Sequence, residues 1–368
     1  MMFTAKKSAI VDALKLVGHV VERRNTIPIL QNVLIENAGS GQLAARVTDL
    51  DTEATVPFKA DVDASFKPFT VPAHLLSDIV RKLPDGADLA VTADDDALGA
   101  ITVKSGRSKF RLQVLPATDF PSMAAGELPF VVEMPSQALA KAISGVSFAI
   151  STEETRYYLN GIYFHAAEGG IKLVATDGHR LAKQFVRVEN APQDMPGIII
   201  PKKTVETVAK HLPKDGNVIL QISDAKIRLI IGDMVLLSKL IDGTFPEYQR
   251  VIPPHEQFVE IEGKPLAAAI SRVSTVSSSG RAIKLTFAEQ MLKLAVNNPD
   301  AGNAEDYVAF EGEIELETGF NGKYMTDALD QLGEGTVRVL LGDPGSPAIF
   351  RADGDHAENL IVLMPMRV

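Results

Sequence analysis

The 368-residue chain contains no cysteine. That excludes a disulfide scaffold, thiolate zinc sites, iron–sulfur ligation and a cysteine nucleophile, and it suits a reducing cytoplasm, the expected location. No apolar run approaches the ~18 residues of a membrane span. Met1 to Lys7 holds no apolar stretch of the signal-peptide kind, so secretion is not expected. Basic residues are in the minority, 37 Lys+Arg against 47 Asp+Glu for a net charge of −10. On charge alone a nucleic-acid partner is not the first expectation.

Catalytic signatures are equally scarce. His19, His74, His165, His179, His211, His255 and His356 form no HExxH and no other ligand-spaced pair. There is no P-loop, GxGxxG or GxSxG elbow. Asp94-Asp95-Asp96 lacks EF-hand spacing and reads as a solvated hairpin turn. Asp49 and Asp51 read as a turn that returns at Asp177.

What is present is ordinary globular material, 46% hydrophobic and 23% charged, in a length that suggests two or three domains. An internal repeat organises it. A helical stretch followed by a strand pair and a turn appears at Ala9–Val17 with Gln42–Asp49. It returns at Leu139–Val146 with Ile171–Asp177, and at Leu266–Val273 with Met291–Asn298. A second pattern follows each copy: an extended tripeptide and then a short helix ending at Leu. Its copies are Thr70-Val71-Pro72 to Leu83, Ile199-Ile200-Pro201 to Leu212, and Gly319-Phe320-Asn321 to Leu332. The first two units close alike, at Asp119-Phe120-Pro121 and Thr244-Phe245-Pro246. The period is far too long for a solenoid, so three domains of two similar halves are expected, at 1–126, 127–255 and 256–368.

Ile10, Leu14, Val17 and Val21 mark an amphipathic first helix counted over 6–24. The other helices are expected at 74–83, 136–149, 202–212, 264–276 and 323–332. Alternating runs such as Ile227–Ile231 and Val337–Leu341, punctuated by Asp-Gly and Asn-Gly turns, read as strands. Six helices among some two dozen strands give an α+β fold, with helices laid on antiparallel sheets. Five of the six helices are basic. The six together carry +8, which leaves −18 for the remainder. One basic helix is a solvated face, but a shared cationic face suits sequence-independent phosphate contact.

Three segments stand out. Arg156-Tyr157-Tyr158-Leu159-Asn160-Gly161 precedes Ala175-Thr176-Asp177-Gly178-His179-Arg180-Leu181. The tail Val362-Leu363-Met364-Pro365-Met366-Arg367-Val368 is largely apolar, which calls for burial or a binding surface; Met suits an adaptable one. With Phe3-Thr4, Leu30 to Leu34, Thr48-Asp49-Leu50, Ser105-Gly106-Arg107-Ser108, Phe245-Pro246 and Gly319-Phe320-Asn321, these stretches resemble the bacterial DNA sliding clamp, the beta subunit of DNA polymerase III holoenzyme. The resemblance runs the whole chain.

That resemblance implies two subunits joined head to tail as a ring, with helices lining the hole and sheets outside. It implies a non-catalytic processivity factor with no cofactor and no metal, loaded around duplex DNA by a clamp loader that uses the ATP. The replicative polymerase, the loader and other polymerases and repair proteins would insert a Gln/Leu/Phe-type motif into a cleft. By matching residue, the cleft would comprise Leu159, Thr176, Gly178, His179, Arg180, Leu181, Pro246, Arg250, Val251, Asn321, Tyr324, Val362, Met364, Pro365 and Met366. DNA-facing residues would be Arg24, Arg81, Tyr157, Tyr158, Lys202, Lys203 and Arg272. Phe110 and Val276 are expected at the homodimer interface. The chain departs from the family pattern in a shorter loop at Ser277–Arg281, in Glu153 replacing a neutral polar residue, and in a final Val. Two other readings remain at this point: a hydrolase with a composite site at His179, Asp177 and Glu153, and a β-rich carbohydrate-binding array.

Overall fold

The computed structural model describes residues 2–94, 99–276, 282–356 and 358–368. Asp95 and Asp96 of the acidic turn, and the Ser277–Arg281 loop, lie outside the described residues. The α-helices are α1 (Lys7–Val17), α2 (Ala73–Lys82), α3 (Ser136–Ser147), α4 (Lys202–His211), α5 (Gly263–Val273) and α6 (Gly322–Leu332). Five fall within a few residues of expectation. The first is shorter, because the chain turns at Gly18, whose N–H donates to Leu14 O at 3.0 Å, and Val20 N–H then donates to Val17 O at 3.1 Å. Val21 remains buried, but from the turn rather than the helix. Arg23 and Arg24 therefore lie beyond α1.

The chain divides into two compact units. One comprises Met1–Gln137 and Glu206–Leu240. Its smaller sheet runs in the order Asp61–Val62, Phe3–Lys6, Asp88–Ala93, Ala100–Ser105, Ser108–Gln113. Its larger sheet runs Leu115–Pro116, Phe69–Pro72, Asn32–Gly39, Gln42–Thr48, Thr52–Lys59, Met234–Lys239, Lys226–Ile231, Asn217–Ile222, Phe130–Pro135. Helices α1 and α2 pack on each other, and α1 lies against Gln42–Thr48 and Thr52–Lys59.

The other unit comprises Ala138–Val205 and Ile241–Val368. Its larger sheet runs Ile198–Pro201, Gly161–Ala167, Gly170–Thr176, Arg180–Arg187, Leu360–Leu363, Ala348–Ala352, Thr336–Leu340, Phe258–Glu262. The smaller runs Gly302–Ala309, Met291–Asn298, Ala282–Ala288, Leu316–Asn321. Helices α5 and α6 pack together, and α5 covers Met291–Asn298 and Gly302–Ala309.

Each large sheet joins strands from two sequence repeats, and the joins share one pattern. Thr52–Lys59 pairs antiparallel with Met234–Lys239, setting Ala54 opposite Leu236. Arg180–Arg187 pairs antiparallel with Leu360–Leu363, setting Ala182 opposite Ile361. All four residues are at most 1% exposed. A small residue faces a large one at the centre of each join, as close packing of a pleated surface favours.

Candidate functional site

The Thr176–Arg180 turn is built by side chains that satisfy their own backbone. Thr176 Oγ1 donates to Arg180 O (2.7 Å) and accepts from Gly178 N–H (3.1 Å). Asp177 Oδ1 accepts from the N–H groups of His179 (2.9 Å) and Arg180 (3.0 Å). The same bonds recur at Thr48–Thr52, where Asp49 Oδ1 accepts from Asp51 N–H and Thr52 N–H at 3.0 and 2.6 Å. Gly178 has φ +88°, and a Cβ there would stand 2.6 Å from Arg156 Nη1. Glycine thus serves both the turn and the approach of Arg156.

Arg180 locks this turn to α6. Its guanidinium lies 4.4 Å from the Tyr324 ring centroid and 5.2 Å from that of Phe148. It pairs with Asp177 at 3.0 Å and Asp327 at 2.6 Å. Asn321 caps α6, its Oδ1 accepting from Lys323 N–H and Tyr324 N–H. His179 stacks on Tyr324 with centroids 6.4 Å apart. Burial and the nearby Asp177 charge push the Tyr324 phenol up from its usual range.

Beside the turn lies a cavity of about 300 Å³ lined by Arg156, Tyr158, Leu159, Thr176, Gly178, Arg180, Leu181, Pro246, Glu247, Tyr248, Val251, Val362 and Met364. Its floor is part of the core: Leu159, Leu181, Tyr248 and Val362 belong to one buried cluster with Val174, Ile199, Phe245, Ile349 and Leu360. Its rim is apolar and open, with Val251 50% and Met364 41% exposed. A packed apolar floor with a few polar groups around the mouth is the chemistry of a peptide or ligand pocket.

Leu159, Thr176, Gly178, Arg180, Leu181, Pro246, Val251, Val362 and Met364 are thus brought together. His179, within the turn, stacks on Tyr324 of α6, which Asn321 caps, and none of the three is among the residues lining the cavity. Arg250 is exposed and ion-paired to Glu247, and Pro365 and Met366 continue past the lining. Arg156, Glu247 and Tyr248 line the cavity without having been assigned to it. Tyr158, grouped with the DNA-facing residues in the sequence, also has its ring there, whereas its neighbour Tyr157 is 53% exposed.

The remaining assigned residues are spread over the helical elements. Arg24 is exposed just beyond α1. Arg81 on α2 pairs with Asp78 at 3.3 Å, and Lys202 and Lys203 open α4. Arg272 near the end of α5 pairs with Asp306 at 2.5 Å, which raises the guanidinium further and lowers the carboxyl. Phe110 is half-buried on Ser108–Gln113, and Val276 is half-buried just past α5.

The composite hydrolase arrangement does not form. Asp177 is engaged by turn amides and Arg180. Glu153 is bound by Arg156 at 2.7 Å, which holds its carboxyl below the usual range. No group of three or more metal-capable side chains converges among the described residues.

Repeated α+β domains joined edge to edge, with one apolar cleft beside the second join, define a clamp-type scaffold. Comparison with known proteins gives the same result in family terms. Residues 1–124, 133–247 and 249–367 match the N-terminal, central and C-terminal domains of the DNA polymerase III beta subunit. The chain is 41% identical to the beta sliding clamp of Caulobacter vibrioides (strain NA1000 / CB15N), covering 100% of both chains. It superposes on the Bartonella birtlesii sliding clamp solved bound to griselimycin with a TM-score of 0.94, at 45% identity and full coverage of both chains. The Pseudomonas aeruginosa DNA polymerase III subunit beta gives a TM-score of 0.95 at 35% identity, again over 100% of both chains. The chain belongs to the DNA polymerase III beta subunit family, the bacterial sliding clamps. It is a three-domain, non-catalytic processivity clamp of replication.

Proposed function

We propose that two copies of this chain close head to tail into a ring around duplex DNA in the cytoplasm. The domains of that ring follow the sequence repeat, 1–126, 127–255 and 256–368, and domain one of each copy meets domain three of the other. One observation carries this. In both internal joins a strand from the first half of one domain pairs with a strand from the second half of another, Ala54 against Leu236 and Ala182 against Ile361. Two equivalent strands, Ser108–Gln113 and Gly302–Ala309, each end a sheet, with no strand paired to the outer edge among the described residues. Gly106 and Gly232 occupy matching turns at φ +55° and +56°, which makes Phe110 the counterpart of Leu236. Val47 pairs with Ala54 and the equivalent buried Val296 pairs with Ala304, which makes Ala304 the counterpart of Ala54. Pairing across two copies therefore sets Phe110 opposite Ala304 and Lys109 opposite Glu305. Phe110 and Ala304 are only half-buried in the single chain, whereas their counterparts are fully buried. An unpaired strand edge calls for a partner, and Val276 would add apolar area beside it.

Within the ring, Arg24, Arg81, Tyr157, Lys202, Lys203 and Arg272 would meet the duplex through phosphates, with no sequence reading. The cleft would take the Gln/Leu/Phe-type motif of the polymerase catalytic subunit, the clamp loader, and other polymerases and repair proteins. Its apolar floor accepts leucine and aromatic side chains, and Thr176, Arg156 and Glu247 offer partners to the motif's amide.

The absence of cysteine makes the register directly testable. A Phe110→Cys/Ala304→Cys variant should oxidise to a covalent dimer, since opposed residues on antiparallel strands bring Cβ atoms to about 4.5–5.5 Å. Pairs shifted by two residues along either strand should crosslink far less. A monomer by sedimentation, or no preference for this pair, rejects the ring.

A further inference from the structure

We propose that Gly319 is a positioning residue for partner binding: lacking a side chain, it lets the tail lie flat on Leu316–Asn321 and so fixes Met364 in the cleft wall. The proposal rests on the cleft reading above and goes beyond it to a residue that does not line the cavity.

Each domain repeats one bridge. Past the last strand of its second half, the chain crosses to the last strand of its first half. Leu115 pairs with Thr70 in domain one. Ile241 N–H donates to Ile199 O at 3.0 Å in domain two, and Met366 N–H to Gly319 O at 2.8 Å in domain three. Thr70, Ile199 and Gly319 are the same position of the repeat, each opening its extended tripeptide. Domains one and two carry a side chain there, and beyond the bridge they run on to the buried anchors Phe120 and Phe245. Beyond Met366 stand Arg367 and Val368, both exposed. The tail is held by two backbone bonds, Met364 N–H to His179 O at 2.9 Å and Met366 N–H to Gly319 O, with Pro365 stiffening the span between them.

Gly319 lets the strap lie closer over this strand than a side chain would allow. A Cβ there would overlap Val368 Cγ1 and stand 3.0 Å from Met366 O. The Val368 side chain can swing away, but the Met366 carbonyl belongs to the strap itself. A side chain at 319 therefore lifts the strap and loosens Met364, two residues upstream, while the core beneath is untouched.

Hydrogen exchange and calorimetry test this. The proteins are wild type, Gly319→Ala, and Gly319→Ala with Val368 deleted; the probe is an acetylated Gln-Leu-Ser-Leu-Phe peptide. Gly319→Ala should weaken the peptide about tenfold, the scale of one lost anchor, and speed Met366 amide exchange, with an unchanged dimer. Removing Val368 should restore part of the affinity. Should Gly319→Ala not fold, Met366→Pro removes the strap's donor without touching the strand and should weaken the peptide likewise. Wild-type affinity in folded Gly319→Ala or Met366→Pro, or an equally protected Met366 amide in Gly319→Ala, overturns the positioning role. A wild-type protein that ignores the peptide overturns the cleft reading instead.

Discussion

Met364 N–H donates to the carbonyl of His179 at 2.9 Å, and Lys239 N–H donates to the carbonyl of Asp51 at the same distance in the equivalent place of the other join. The backbones match; the side chains do not. Lys239 Nζ returns to the Asp51 carboxylate at 3.0 Å and caps its join with an ion pair. Met364 leaves an apolar wall open instead. Deleting Met364 to Val368 should therefore abolish binding of a Gln-Leu-x-Leu-Phe peptide, a loss of about 2–4 kcal/mol on the scale of a removed hot spot. The dimer should stay folded. Calorimetry on the truncated dimer checks this; unchanged affinity rejects the placement of Met364 in the cleft wall.

Arg180 should matter through shape as well as charge. Its side chain is 11% exposed between Phe148 and Tyr324, and it bridges Asp177 and Asp327. Arg180→Ala should cost about 3 kcal/mol, since it removes one partner of a mostly buried ion network. Arg180→Lys should recover less than half, because an ammonium cannot stack flat or pair in two directions. Denaturant midpoints measure both, and equal stability of the Lys variant and wild type would contradict the stacked geometry.

A second ionic knot predicts a pH dependence. Glu358 accepts from Lys183 at 2.6 Å and pairs with Lys172 at 3.1 Å, which lowers its carboxyl to about 2. Burial pulls Lys183 downward, opposing part of that gain. Because the folded value lies below the unfolded one, the stabilisation is complete above about pH 4.5. It is lost as the pH falls from there toward 2. Glu358→Gln should cost on the order of 1–2 kcal/mol at pH 7, between the exposed and buried limits. Thermal melts of both proteins should converge as the pH falls through that window; a pH-independent gap would contradict the assignment.

Much of this was legible in the sequence, because the repeat is written in turn chemistry. Thr48-Asp49 and Thr176-Asp177 specify their turns with their own side chains, so a local reading finds them. The α1 terminus was not legible: Val21 keeps the helical spacing although the chain has already turned at Gly18, and burial alone does not distinguish the two. Tyr248 escaped notice because it comes to the cleft through a 3₁₀ turn at Tyr248–Val251 after Phe245-Pro246. Tyr158 shares a dipeptide with Tyr157, and only the turn at Glu154–Leu159 parts their rings, 5.8 Å apart at 78°. The compact units cut across the repeat for a similar reason. Sheets continue through the joins, and strand pairing over long sequence separation leaves no local mark.

Enclosure of DNA can be read from the Phe110→Cys/Ala304→Cys variant itself. The clamp is loaded onto a nicked circular plasmid, oxidised, and washed in roughly 1 M salt, which strips ordinary phosphate contacts. The covalent ring should stay with the circle through salt and denaturing detergent, and be released when a single cut linearises the plasmid. Loss from the intact circle at the salt that removes the protein from short linear duplex, or retention after linearisation, would contradict enclosure.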